Sequence, residues 1–282
     1  MEERKPAKGI GYILIAWLLF TVMMIFTRAA AKMASLPTIL LFQNLIGVVS
    51  VIPWTIRHGI GYVKTERFGL ILFRSVVSLM AYWMSFMAVQ KISLLDTMLF
   101  SNSSPLWIPF VLLLWLKTPL KHVLWPGLVG GFLGIVLILK PGVDVINPGT
   151  LFALGAGVLQ AVNMISLRQL SHTDRNHTVL FYYFVICSIV CLPLSLLTWN
   201  SLSFTVWIDV LIVGILFTLF QWTFVRAFHH AKASLLGPFC YSAVVYSVFI
   251  DWSLYGQIPD LLSWIGMGLV CAGGIWAIKK GQ

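Results

Sequence analysis

Ten apolar stretches, separated by short polar ones, account for nearly all of the chain. They run at about 9–31, 37–57, 68–90, 94–116, 122–140, 149–170, 177–199, 204–228, 233–255 and 260–279. Each approaches the ~20 residues that an α-helix needs to cross the hydrocarbon core of a bilayer. The pattern predicts ten transmembrane helices, a polar N-terminal segment over residues 1–8, and no interspan segment long enough to be a soluble domain. One stretch departs from the rest. Leu94 to Leu116 carries Ser101-Asn102-Ser103-Ser104-Pro105 at its centre. Proline removes a backbone donor and clashes one turn back, so a kink or a loosened turn is expected there. In lipid such a break is tolerated only where protein or a water-filled cavity receives it. The first stretch ends in Ala29-Ala30-Ala31, in the manner of a signal-peptide cleavage site. Its apolar run is too long for one and Arg28 interrupts the approach, so an uncleaved first span is expected.

Composition turns the pattern into a class. Apolar residues make up 59% and charged residues 10%, with a mean hydropathy of +0.92. A soluble domain carries about 25% charged residues, so an integral membrane protein is expected, with the lipid bilayer as its surroundings. The net charge of +10 does not point to nucleic acid, because the basic residues fall in short loops rather than on one face. Those loops fix an orientation instead. With the N-terminus in the cytoplasm, only Arg28, Lys32, Lys91 and Lys140 lie in outer loops. The remaining lysines and arginines lie inside, apart from Arg74 within a span. The positive-inside rule then places both termini in the cytoplasm. Cys187, Cys191, Cys240 and Cys271 all sit within apolar runs and are expected as free, buried thiols.

The chain also repeats itself. At one constant offset Arg28 aligns with Arg168, Thr38 with Thr178, Leu40 with Leu180 and Pro53 with Pro193. After a one-residue slip, Trp83 aligns with Trp222, Phe100 with Phe239, Gly127 with Gly266, Gly134 with Gly273 and Lys140 with Lys279. Five spans per copy is an odd number, so the second copy enters the membrane upside down. The expected fold is all-α, ten transmembrane helices as two inverted five-helix repeats, over residues 9–140 and 149–279. Inverted repeats of this kind are a transporter architecture with the substrate near the midplane, and the two access states become near-equivalent in energy.

These features resemble the drug/metabolite transporter superfamily, and specifically its EamA-type branch. The resemblance rests on Arg74 early in the third span and the Ala88–Asp96 turn before the fourth. It rests also on Pro105, on Gly127 and Gly134 in the fifth span, and on Gly237-Pro238-Phe239-Cys240-Tyr241 with Gly266 and Gly273 in the second half. It implies a small-molecule transporter in a bacterial inner membrane, monomeric or homodimeric, with no cofactor. It implies further that spans 1, 3, 4, 6, 8 and 9 line the cavity while the glycine-rich spans 5 and 10 pack peripherally. Members often carry a Glu at the ends of spans 4 and 9, where this chain has Lys117 and Gly256, so no role for that acid carries over.

Within this frame the repeat nominates binding residues. Tyr82 maps onto Gln221, each followed by a matched tryptophan, Trp83 and Trp222. Asn102 maps onto Tyr241, and Phe20 and Met23 map onto Gln160 and Asn163. The candidate substrate-binding set is Trp17, Tyr82, Trp83, Asn102, Gln160, Asn163, Gln221, Trp222 and Tyr241. Amides offer donors and acceptors, and aromatic faces take flat or cationic groups. The plainer role for the amides is to hold helices together. Arg74 is expected to snorkel to the cytoplasmic surface, with anion binding at a cavity mouth as the alternative. Asp251 is a candidate for proton coupling or gating, and Pro105 with Gly237-Pro238 for the flexible points of moving spans. Asp96 reads as a helix N-terminal acid, and His229-His230 lacks enough companions for a metal site.

No phosphate loop, zinc-protease motif or nucleophile elbow appears, so enzyme activity is not expected. The span-9 run from Gly237 to Phe249 is similar to branches that move S-adenosylmethionine or other nucleoside-like solutes. Amino acids or their derivatives are the rival substrates. A non-transporting receptor or scaffold is the rival class, and it would not need polar groups matched across the repeat.

Overall fold

A computed structural model describes residues 6–92, 94–117, 122–139, 147–255 and 261–281. Helix occupies every one of the ten expected stretches, and no strand occurs among the described residues. The helices are α1 (Pro6–Ala30), α2 (Leu36–His58), α3 (Phe68–Val89), α4 (Leu94–Ser101), α5 (Ser104–Leu116) and α6 (Trp125–Leu139). They continue as α7 (Pro148–Leu170), α8 (Asn176–Leu197), α9 (Phe204–His230), α10 (Ala233–Leu236), α11 (Ser242–Tyr255) and α12 (Leu261–Gly281). Among the described residues, seven helical stretches are long and apolar enough to cross a membrane. The other three expected spans hold α4 with α5, which is divided, and the shorter apolar runs of α6 and α12.

Large apolar side chains project outward as well as inward. Leu114, Leu197 and Phe204 are 82%, 83% and 79% exposed. That surface suits hydrocarbon, not water. Inside, the dominant contacts pair α1 with α9, α3 with α7, α2 with α8, and α6 with α12. The α4–α5 segment lies on α7, and α11 with the 3₁₀ turn before it lies on α1.

Glycine decides one of these contacts. A Cβ on Gly127 would stand 2.9 Å from the Gly273 carbonyl oxygen, and one on Gly134 2.6 Å from that of Gly266. Only hydrogen fits at such points, so the two helices approach backbone to backbone, the association mode favoured where lipid removes the hydrophobic drive. The four glycines noted in the sequence therefore meet crosswise, Gly127 with Gly273 and Gly134 with Gly266.

Two spans are interrupted. Asn102 and Ser103 form a turn between α4 and α5, and Pro105 stands in the first turn of α5. There proline's missing donor costs nothing, because the first helical N–H groups have no partner in any case. The ninth span breaks differently: α10 passes into a 3₁₀ turn over Gly237–Tyr241 before α11 resumes. The breaks are neighbours, since a Cβ on Gly237 would lie 3.4 Å from Pro105 Cβ and 3.3 Å from Ile108 Cδ1.

Candidate functional site

An internal cleft opens beside the first of these breaks. It is lined by Trp17 and Phe20 of α1, Ala81, Tyr82 and Ser85 of α3, Ser101 and Asn102 at the end of α4, and Ala156 and Gln160 of α7. Its cavity volume is about 20 Å³, little more than one water needs. The cleft is therefore narrow.

Local structure explains how each side chain reaches it. On α3, Tyr82 and Ser85 are three residues apart and share a face, with Ala81 beside them. At the break, the Asn102 amide Nδ2 donates to the Met98 carbonyl at 2.8 Å, which holds its Oδ1 toward the interior. Ser103 Oγ donates to the Phe100 carbonyl at 2.6 Å and accepts from the Trp107 indole at 3.2 Å, closing the turn. The turn can lie on α7 because position 157 is glycine: a Cβ there would sit 2.8 Å from the Phe100 oxygen. Across the cleft, Gln221 Nε2 of α9 donates to the Tyr82 hydroxyl at 3.4 Å, and Asn163 Nδ2 donates to Gln160 Oε1 at 3.3 Å. Phe217 packs edge-on against Tyr82 with ring centroids 5.3 Å apart, and Trp17 and Phe20 meet at 5.4 Å in the same manner.

The amides are used unevenly. Their N–H groups are engaged, yet Asn102 Oδ1, Asn163 Oδ1 and Gln221 Oε1 are buried with no hydrogen-bond partner among the described residues. Buried acceptors left unpaired each cost about 1–3 kcal/mol. Of these residues Asn102 lines the cleft, while Asn163 and Gln221 stand behind it, bonded to its wall residues Gln160 and Tyr82; an acceptor so placed is one that a donor on a solute would satisfy.

Of the nine binding candidates, six come together: Trp17, Tyr82, Asn102 and Gln160 on the cleft wall, with Asn163 and Gln221 hydrogen-bonded to two of those. Trp83 and Trp222 do not join them. Each follows its cleft residue by one position, which is about 100° around a helix. Trp222 instead donates its indole N–H to Ser50 at 3.4 Å and meets the His177 ring at 4.8 Å. Tyr241 is fully buried but turned away, its hydroxyl donating to the Leu128 carbonyl at 3.3 Å and its ring filling the space over Gly131 of α6. Phe20, Ala81, Ser85, Ser101 and Ala156 line the cleft without having been nominated. Helical spacing from Tyr82 and Gln160 points to Ser85 and Ala156; nothing in the sequence marks Ala81.

Arg74 corrects an expectation. It does not snorkel: it is 0% exposed and its guanidinium carbon lies 4.8 Å from the centre of the Tyr183 ring. Burial follows from its place on the same face of α3 as Tyr82, two turns away. Arg168, by contrast, donates from Nη1 to the Phe228 carbonyl at 2.7 Å, tying α7 to the last turn of α9. Pro105 is buried beneath Gly237. Asp251 belongs to α11 and Asp96 to α4, but the side chains of both lie outside the described residues. All four cysteines are free, three buried and Cys271 exposed. Among the described residues no cluster of His, Cys, Asp or Glu could hold a metal.

A family model described as the EamA-like transporter family matches residues 7–140 and again 147–278. A riboflavin transporter of Vibrio cholerae is 28% identical over 95% of this chain and 92% of its own length. A pseudopaline exporter of Pseudomonas aeruginosa is 23% identical over 93% of each chain. An S-adenosylmethionine uptake transporter of Rickettsia conorii is 22% identical over 89% of this chain and 86% of its own. A solved crystal structure superposes with a TM-score of 0.77 at 18% identity, covering 96% of both chains, a likeness of fold alone.

Proposed function

The chain belongs to the EamA-like transporter family as an integral, multi-pass membrane protein, and from that premise we propose that it moves a flat, donor-rich metabolite by alternating access. The family and the named relatives are transporters, not enzymes. The observation that carries the reading is the cleft: an aromatic wall of Trp17, Phe20 and Tyr82 shared with Asn102, whose Oδ1 is unpaired, and backed by the unpaired oxygens of Asn163 and Gln221. Aromatic faces stack on a heterocycle, and the oxygens accept from its N–H or hydroxyl groups or from an ammonium. S-adenosylmethionine and other nucleoside-like solutes have this chemistry, and so does riboflavin, the substrate in the name of one relative. Amino acids and their derivatives satisfy the acceptors through an α-ammonium but use less of the aromatic wall.

The mechanism follows from two inverted five-span halves, residues 9–140 and 149–279, rocking about the cleft. The packing supports it. Exchanging the halves turns the α1–α9 contact into the α7–α3 contact and leaves α2–α8 and α6–α12 in place. Tyr82 and Gln221, aligned by the repeat, are hydrogen-bonded, as residues beside a twofold axis would be. In this reading the chain lies in a bacterial inner membrane with both termini cytoplasmic, working as a monomer or homodimer. Pro105 with Gly237-Pro238 serves as the flexing point, and Asp251 as a proton-coupling candidate.

Uptake and counterflow of a radiolabelled panel by the purified protein in liposomes tests this. The panel holds S-adenosylmethionine, riboflavin, nucleosides and aromatic amino acids, with and without a pH gradient. Saturable flux of a heterocyclic solute is expected. Flux of amino acids alone would transfer the assignment to the rival substrates. A folded protein that moves nothing in the panel would favour a receptor or scaffold.

A further inference from the structure

Arg74 presents a chemical problem that the cleft does not solve. Among the described residues none of its three guanidinium nitrogens has a hydrogen-bond partner, and the side chain is fully buried. It lies about 9 Å along α3 from that helix's first residue, by helical rise. Among the described groups the titratable neighbours of Arg74 are Tyr183, Tyr82 and Cys187, none of them a carboxylate. A single cation–π contact with Tyr183 replaces only a fraction of the hydration lost by a buried cation. An intramembrane charge kept at this cost calls for an anion. The guanidinium fork suits a carboxylate or a phosphate group, which it binds through paired N–H donors.

The neighbours fit the same ligand. Ser78 Oγ donates to the Tyr183 hydroxyl at 3.5 Å, so a second polar side chain of α3 stands one turn from Arg74, beside the tyrosine whose ring the guanidinium approaches. Ser75 is buried next to Arg74, its Oγ bonded to the Ile71 carbonyl at 2.8 Å. Arg74, Ser78, Tyr82 and Ser85 lie at spacings of four, four and three, so they form one polar stripe down a single face of α3. The stripe ends in the cleft, where Tyr82 and Ser85 are wall residues. From Arg74 to Tyr82 is about 12 Å along the helix axis.

We propose that Arg74, at the head of this polar stripe, is a binding site for one oxyanion group, a carboxylate or phosphate, of the transported solute. It rests on the transporter reading only for the identity of the ligand. The solute class is thereby narrowed to metabolites that carry an anionic group together with the hydrogen-bond donors that the cleft accepts. The acceptors hold one end of the solute and the buried cation attracts the other along the stripe.

The test reads binding without flux. The full-length protein in neutral detergent is unfolded by heat in rising sodium phosphate or sodium acetate, with ionic strength held constant by chloride. Wild type, Arg74→Met and Arg74→Lys are compared. The expected result is a saturable rise of the wild-type midpoint with one of the two oxyanions over chloride. Arg74→Met should unfold at or above the wild-type temperature without oxyanion and bind it at least tenfold more weakly. Arg74→Lys, which keeps the charge but not the fork, should fall between and carries the test if Arg74→Met does not fold. A midpoint indifferent to oxyanions, or an equal response in every variant, overturns the site. Stabilisation by added phosphatidylglycerol alone, with inorganic oxyanions inert, also overturns it, because the anion would then be a lipid headgroup. An intact oxyanion response in a protein that moves no solute would sink the transport reading and leave the site standing.

Discussion

The fourth and ninth spans are both interrupted near mid-length, yet the two interruptions face different surroundings. Between α4 and α5 the chain makes an Asn102-Ser103 turn, and its amide looks into a cleft with Oδ1 unpaired. Between α10 and α11 it makes a 3₁₀ turn, and Tyr241 is bonded to the Leu128 carbonyl and pressed on Gly131. The first break leaves polarity unsatisfied where a solute could reach it; the second satisfies its polarity against a neighbouring helix. The proposed function makes the first break an element of recognition and the second one of packing. They are also neighbours, Gly237 beside Pro105.

The largest effect expected from breaking this comparison is at Gly157. Its absent Cβ leaves room for the Phe100 oxygen and Ser103 Oγ, 2.8 and 2.7 Å from where that atom would be. The Phe100 oxygen is backbone and has little freedom to yield. Gly157→Ala should destabilise by about 2 kcal/mol or more and abolish flux, read as a lowered unfolding midpoint with lost counterflow. Next comes Asn102→Leu. It removes a buried unpaired acceptor, so stability should hold or rise, whereas flux should fall at least about tenfold, equivalent to ~1.4 kcal/mol. An unchanged flux would remove Asn102 from recognition. Tyr241→Phe is the mirror test: it loses one long hydrogen bond, about 0.5–1.5 kcal/mol of stability, and should leave substrate affinity alone. A shifted KM would return Tyr241 to the binding set. Pro105→Ala should be mildest, slowing flux about two- to threefold with little change in affinity, since proline in a first helical turn costs no hydrogen bond. Wild-type rates in that variant would end the hinge assignment.

How much of this was legible depends on the kind of signal. Length and hydropathy are local properties, and the ten helical stretches follow them closely. Breakage at 101–105 was legible because proline and a polar run act on the backbone directly. The facing glycines of α6 and α12 were legible as repeated small residues. Arg74 was not, because an arginine six residues into a span has the same local sequence whether it turns toward water or toward Tyr183. Nor was the direction of Tyr241: alignment carries a residue to an equivalent place in sequence, but a 3₁₀ turn rotates the side chain differently from an α-helical one. Trp83 and Trp222 were drawn in by adjacency, which on a helix points to different faces.

The central claim is that a solute binds between the aromatic wall and the unpaired amide oxygens. A structure of the protein bound to whichever solute its flux assay selects tests it most directly. Ligand density is expected stacked on Trp17, Phe20 or Tyr82, with donors within about 3.2 Å of Asn102, Asn163 or Gln221, in a cleft wider than the present one. Density elsewhere, for instance among Trp54, His177 and Trp222 at the ends of α2, α8 and α9, would contradict it.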